Sequence, residues 1–279
     1  MITPVQAIIL GLLQGISELF PISSLGHSVI LPRLLGWNIH QNDPFFIVFL
    51  VATHFATATV LFIFFWKDWQ QIIAGIFRSL KIREIKSTDT NAKLGWLLIV
   101  GTIPAGILGL LFEDALRGFF ASAQSAAAFL FLNGLLLFSG EFLRRRSKEE
   151  DGKIAQLSFF QAVKVGLLQS IALIPGFSRT GATLVGSLLS GLSHEDSLRF
   201  SFLLATPIIG AAALLKLPDL LSYGDKSLLL SALLGALSAA VSAYFTVKFL
   251  IKYFQTKTLI PFAIYCLLVG GGISLYFWR

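Results

Sequence analysis

Residues 11–27 read Gly11-Leu-Leu-Gln14-Gly-Ile-Ser-Glu18-Leu-Phe-Pro21-Ile-Ser23-Ser24-Leu-Gly26-His27. Residues 166–183 read Gly166-Leu-Leu-Gln169-Ser-Ile-Ala-Leu-Ile-Pro175-Gly-Phe-Ser178-Arg179-Thr180-Gly181-Ala-Thr183. Each stretch starts as an apolar helix and breaks at a proline, which lacks an amide donor and restricts the residue before it. The apolar pieces before the breaks, 5–20 and 159–174, reach about 24 Å as helix, short of a hydrocarbon core about 30 Å thick. A shorter apolar piece follows each break, at 28–36 and 182–192. Each region is therefore either a kinked span or a re-entrant hairpin that enters and leaves on one face. Non-helical backbone at membrane depth is tolerated only where protein or a water-filled cavity covers it, so both loops are functional candidates.

Working outward, the rest of the chain is membrane-like. Of its 279 residues, 55% are hydrophobic and 13% charged, where a soluble domain carries nearer 25% charged. Six runs are long enough to cross a bilayer: 46–66, 94–112, 121–142, 198–216, 227–250 and 259–278. No second, soluble domain is expected, so 1–279 reads as a single integral membrane domain. The first basic residue is Arg33, and no positively charged signal-peptide start is expected. The single cysteine, Cys266, excludes an intramolecular disulfide and a cysteine zinc site. The net charge of +7 does not point to nucleic acid, because the basic residues sit between apolar runs as membrane topology requires.

The two broken regions also repeat. Gly11-Leu12-Leu13-Gln14 recurs as Gly166-Leu167-Leu168-Gln169; Pro21, Ser24 and Gly26 recur as Pro175, Ser178 and Gly181. Downstream, Phe49-Leu50-Val51-Ala52-Thr53 recurs as Phe202-Leu203-Leu204-Ala205-Thr206. The expected architecture is an all-α polytopic membrane protein with an inverted-topology repeat. Each half, about 1–146 and about 155–279, is a re-entrant helical hairpin plus three transmembrane helices. Three is odd, so the second half inverts relative to the first and both hairpin tips approach the midplane from opposite faces. Charge supports the re-entrant reading. Lys67, Arg78, Lys81, Arg83, Lys86, Lys93, Arg144, Arg145, Arg146, Lys148, Lys153, Lys164, Arg199, Lys248, Lys252 and Lys257 then share one side. Only Arg33, Arg117, Lys216, Lys226 and Arg279 take the other. The rich side is expected in the cytoplasm, with both termini outside.

The tips carry chemistry. Gln14 and Glu18, four apart, share a helix face, and a carboxylate at membrane depth is costly and functional by default. Ser23, Ser24 and His27 follow: serine is a candidate phosphoryl acceptor, histidine a candidate base, acid or acceptor. At the second tip Arg179 offers a planar fork for phosphate oxygens. Ser178, Thr180 and Thr183 add hydroxyls, and amides at the start of the following half-helix suit an anion. Together these are the parts for phosphate-ester cleavage. Zinc proteolysis, GxSxG hydrolysis and P-loop chemistry lack their motifs, and no paired acids lie in facing spans.

At these residues the chain resembles the undecaprenyl-pyrophosphate phosphatases of the bacitracin-resistance type, with both signatures in order and nearly the whole chain covered. The resemblance implies hydrolysis of undecaprenyl diphosphate to the monophosphate, which recycles the peptidoglycan carrier lipid and confers bacitracin resistance. It implies a divalent cation, Mg2+ or Ca2+, and an active site opening to the outer, periplasmic face of the bacterial inner membrane. Carried over residue by residue, Glu18 and Gln14 match the acidic motif that positions the metal. Ser24 and His27 match the transfer residues, with Ser24 as nucleophile and His27 as its base, or His27 activating water. Ser178, Arg179 and Thr183 match the phosphate-binding motif, with Ser23 and Thr180 beside them. The sequence departs from the pattern in having Gln at 14, Leu at 25 and Thr at 180. His54 lies where members often carry His or Gln and is expected to support the site from behind. The expected partners are the polyprenyl diphosphate lipid and the bilayer, with a homodimer left open. The alternative reading, from the repeat itself, is a transporter or flippase of the lipid carrier.

Overall fold

The computed structural model describes residues 2–39, 43–112, 122–146, 152–222 and 226–278. Arg117, Lys148, Arg279 and the first residue of the 121–142 run lie outside these. Eleven α-helices are seen among the described residues: α1 (Pro4–Ser17), α2 (Ser24–Leu34), α3 (Pro44–Phe64), α4 (Trp66–Ile82), α5 (Thr90–Leu111) and α6 (Ala123–Arg146), then α7 (Phe159–Ser170), α8 (Arg179–Leu189), α9 (His194–Ser222), α10 (Lys226–Tyr253) and α11 (Ile260–Phe277). Six of them, α3, α5, α6, α9, α10 and α11, are long and apolar enough to cross a membrane, and they coincide with the six runs read from sequence. Their outward faces carry large apolar side chains such as Leu110, Phe245 and Leu268, as a lipid-facing surface requires. The chain is therefore an all-α polytopic membrane protein.

The short helices are built as the sequence dictates. Thr3 and Gln6 form a capping box with Pro4 at the first position of α1, and Ser158 and Gln161 cap α7 in the same way. After each, the chain turns back. Ser23 adopts φ 67° and caps α2 by accepting from Gly26 N at 3.2 Å. Gly176 adopts φ +108°, where a Cβ would also lie 2.5 Å from Ala126 O, so glycine is required there on two grounds. Ser178 then caps α8.

The two short-helix pairs enter from opposite ends. Ser231 Oγ donates to Ile2 O at 3.2 Å, which puts the start of α1 beside the start of α10. Lys93 Nζ donates to Ala155 O at 2.7 Å, which puts the approach to α7 beside the start of α5. Span α6 returns to the end where α5 starts, and Glu141 near its end accepts from Leu259 N, just past the end of α10, so α5 and α10 start at opposite ends of the bundle.

Contacts made by one half recur in the other. A Cβ on Gly11 of α1 would lie 2.2 Å from Gly235 O of α10; one on Gly166 of α7 would lie 2.2 Å from Gly101 O of α5. Ala7 O faces Gly235 just as Ala162 O faces Gly101, each at 3.3 Å from the added Cβ. The α6–α11 crossing matches itself: Gly134 sits against Ala263 O and Leu267, and Gly270 against Ala127 O and Phe131. Small residues let helix backbones approach closely where lipid offers no hydrophobic drive between helices.

One element was not anticipated. Between the first two spans the sequence reading places only the basic residues from Lys67 to Lys93, all on one side, yet Trp66–Ile82 forms α4, packed on the first turns of α5.

Candidate active site

Four donors converge on Glu18, the C-cap of α1, which is only 6% exposed. Arg179 Nη2, from the first residue of α8, reaches Oε1 at 2.6 Å. Ser24 Oγ, from the first residue of α2, donates to Oε2 at 2.5 Å. Gln14 Nε2, one turn back on α1, donates to Oε2 at 3.1 Å. His54 Nε2, from the middle of α3, lies 3.2 Å from Oε2. A buried carboxylate is tolerable when it is paired and hydrogen-bonded; here Oε2 is shared by three contacts and Oε1 takes one.

His54 Nδ1 also faces Leu50 O at 2.7 Å. Both ring nitrogens thus face oxygens that can accept, and the ring bridges the α3 backbone to Glu18. The Arg179 guanidinium, with a His54 that adds a second cation when protonated, makes the surroundings of Glu18 suited to a phosphate.

His27 is placed differently from its sequence expectation. Its Nδ1 donates to Ser23 O at 2.7 Å, and its Nε2 accepts from Tyr265 Oη, on α11, at 2.8 Å. The carbonyl can only accept, so Nδ1 carries a proton, and in the neutral ring Nε2 is bare. No hydrogen bond joins His27 to Ser24; the Ser24 proton points at Glu18. The structure thus brings the Ser24 hydroxyl to Glu18 and the His27 ring to Ser23 O and Tyr265, and does not join the two expected partners to each other.

The hydroxyls expected to grip phosphate mostly grip the protein. Ser23 Oγ accepts from Gly26 N and, across the two tips, from Gly176 N, both at 3.2 Å. Ser178 Oγ accepts from Gly181 N at 3.1 Å as the cap of α8. Thr180 Oγ1 donates to Glu18 O at 2.9 Å, and Thr183 Oγ1 meets Arg179 O at 2.9 Å and Ser201 Oγ at 2.5 Å. Ser23 and Thr180 thus weld tip to tip. Two buried polar atoms in the centre lack a partner: Arg179 Nη1, a donor, and Gln14 Oε1, an acceptor.

Asn133, in the middle of α6 and fully buried, escaped the sequence reading. Its Nδ2 donates to Pro21 O at 2.9 Å, and its Oδ1 accepts from Ser178 N at 3.0 Å. One side chain thereby holds both tips. The available signal was an amide inside an apolar span, which is costly unless it has partners. Tyr265 was missed for a plainer reason: a tyrosine in an outward span reads as an interfacial residue.

A divalent cation prefers oxygen ligands and, in the case of Mg2+, is commonly held by one or two protein groups plus substrate phosphates. Among the described residues no three His, Cys, Asp or Glu side chains gather to hold one. The orphaned Gln14 Oε1 beside the Glu18 carboxylate fits a cation that takes its remaining ligands from phosphate and water.

This geometry defines a class: a helical membrane protein in which two broken hairpins bring a carboxylate, a serine and an arginine together among the spans. A family model described as Bacitracin resistance protein BacA matches residues 7–272. The chain belongs to the BacA family. It is 44% identical to an undecaprenyl-diphosphatase of Mycolicibacterium paratuberculosis, over 96% of this chain and 95% of that one. It is 46% identical to undecaprenyl-diphosphatase 2 of Chromobacterium violaceum, over 95% and 96%. It is 42% identical to an undecaprenyl-diphosphatase of Acidiphilium cryptum, over 96% of each.

Proposed function

We propose that this chain hydrolyses undecaprenyl diphosphate to undecaprenyl phosphate and inorganic phosphate. The observation that carries this reading is the meeting of Ser24 and Arg179, from the two tips, on opposite oxygens of Glu18. The family and the names of the relatives supply the substrate.

The lipid tail lies among the spans and the diphosphate sits between the tips. Arg179, whose Nη1 is free of protein partners, binds the terminal phosphoryl group, and its guanidinium stabilises the charge that develops on it. Ser24 Oγ attacks the terminal phosphorus while its proton passes to Glu18 Oε2. The bond from phosphorus to the bridging oxygen breaks, and the lipid monophosphate leaves with that oxygen and its electron pair. Water then attacks the phosphorus of the phosphoserine, the bond from phosphorus to Ser24 Oγ breaks, Oγ takes back the proton held on Glu18 Oε2, and inorganic phosphate leaves. His27 Nε2, once Tyr265 Oη turns away, is the bare nitrogen that takes the water proton. Gln14 Oε1 and Glu18 are the groups that would hold a Mg2+ or Ca2+ ion, which when bound supplies further neutralisation of the diphosphate.

The basic-rich end faces the cytoplasm of the bacterial inner membrane and the site opens outward; the distribution of Lys and Arg supports this orientation. An inverted repeat is supported by the recurrence of the glycine contacts between halves. No observation here favours the transporter reading over hydrolysis.

The test is phosphate release from undecaprenyl diphosphate by purified protein in detergent, with Mg2+, with Ca2+ and with chelator, beside Arg179→Ala. Release that needs metal and vanishes in the variant is expected. No release from well-folded protein under every condition would overturn the reading.

A further inference from the structure

Helix α4 has three faces, and two of them have no counterpart in the catalytic centre. Ile72, Gly75 and Ser79 are buried against α5: a Cβ on Gly75 would lie 2.5 Å from Ala92 N, and Trp96 Nε1 donates to Ser79 Oγ at 2.9 Å. Trp66, Ile73, Phe77 and Leu80, on a second face, are 46%, 43%, 68% and 54% exposed. One residue further on, at the same spacing, Lys67, Arg78 and Lys81 line a third, exposed face, and Arg83 and Lys86 follow in the exposed turn. A helix with an apolar stripe beside a cationic one is built for a lipid–water boundary.

Its orientation comes from its two ends. Asp68 pairs with Arg199, in the second turn of α9. Arg78 makes a bidentate pair with Asp89 at 3.0 and 3.1 Å, and Asp89 is the cap of α5. The helices α5 and α9 both start at the basic-rich end of the bundle. Both ends of α4 are therefore held at that end, although between Asp68 and Arg78 a helix advances about 15 Å. The axis runs across the bundle end and not through the bilayer.

We propose that α4 is an interfacial helix that binds anionic phospholipid. Trp66, Ile73, Phe77 and Leu80 lie in the acyl boundary, and Lys67, Lys81 and Arg83 meet lipid phosphates. Charge complementarity selects this occupant: among the described residues of α4 and the turn that follows it, Asp68 and Asp89 are already paired with Arg199 and Arg78, which leaves Glu84 against Lys67, Lys81, Arg83 and Lys86. Cations at a membrane surface each favour anionic lipid measurably. The inference does not depend on the proposed hydrolysis.

The test uses the full chain in vesicles. Spin labels at cysteines introduced one at a time in place of Gln70, Ile73, Ala74, Phe77, Leu80 and Lys81 report depth through oxygen against nickel accessibility, with the parent carried through the same labelling as background for the buried Cys266. Depth that oscillates with the helical period, with positions 73, 77 and 80 deepest and level with one another, is expected. A steady ramp of depth along the helix, or nickel access at every position, would overturn the proposal. In a second arm, spin-labelled phosphatidylglycerol competes with phosphatidylcholine for the protein surface. A preference of roughly fivefold or more that falls in Lys67→Gln/Lys81→Gln/Arg83→Gln is expected. Equal selectivity in parent and variant refutes the headgroup site, and because all three residues are exposed the variant retains its fold.

Discussion

Gln14 and Gln169 occupy matching positions in the two hairpins, and both are buried. One turn beyond Gln14 stands Glu18, and the Gln14 amide donates to it; one turn beyond Gln169 stands Leu173, and both polar atoms of the Gln169 side chain lack a partner. The backbone device is shared: a capped short helix, a break, a second short helix, and a glycine seated on a carbonyl of the other half. The chemistry is divided. A carboxylate, the Ser24 hydroxyl and an imidazole stand at the first tip, while the second contributes one arginine and a set of hydroxyls spent on fastening. A scaffold can thus be duplicated while its reactive groups are not, because the site needs one of each where the tips meet.

The largest effect expected from this division is at the matched serines. Ser24→Ala removes the proposed nucleophile and should lower phosphate release by ~1,000-fold or more. Ser178→Ala removes a helix cap and should cost about 1 kcal/mol of stability with release reduced far less. Equal losses in the two variants, measured as turnover and unfolding side by side, would erase the distinction between the tips. Next comes the clamp. Asn133→Leu strands Pro21 O and Ser178 N, at about 1–3 kcal/mol each, and should lower turnover by ~10- to 100-fold while the spans still insert; circular dichroism and turnover together check this. The matched glutamines come third. Gln14→Leu should lower turnover by ~10-fold as the Glu18 contact and the free oxygen are lost, whereas Gln169→Leu should raise the unfolding temperature or leave it unchanged, since an apolar isostere relieves unpaired polar atoms. A Gln169→Leu chain that loses activity would show that the second hairpin carries hidden chemistry.

The smallest effect lies outside the membrane. Arg78 holds the Asp89 carboxyl below its usual range. A depressed folded value means stability that is present above the unfolded value and lost as pH falls through the folded one. The link between α4 and α5 should therefore persist at pH 5 and release only below about pH 4, as label-to-label distances across it would report.

Much of this was legible in the residues. Proline after a short apolar run announced the breaks, and hydropathy gave the spans because lipid leaves the backbone few options. Glu18 and Arg179 stood out because charge at membrane depth demands an explanation. The illegible parts depend on contacts distant in sequence. Nothing near residue 133 announces that its amide reaches both Pro21 and Ser178. The side chain of Ser24 has two plausible bases nearby in sequence, and only the turn at Ser23 decides for Glu18. Helix α4 was hidden because its three faces blur any two-way alternation of apolar and polar residues.

The ion pair at the centre also carries an order of events. Glu18 and Arg179 are 161 residues apart, so at ordinary rates of synthesis the carboxylate waits about 8 to 32 s for the guanidinium to leave the ribosome. His54 is made much earlier and already contacts the same carboxylate. It is therefore the partner that can cover Glu18 through insertion, and a chain lacking it would show its defect in yield from the translocon before it showed one in turnover.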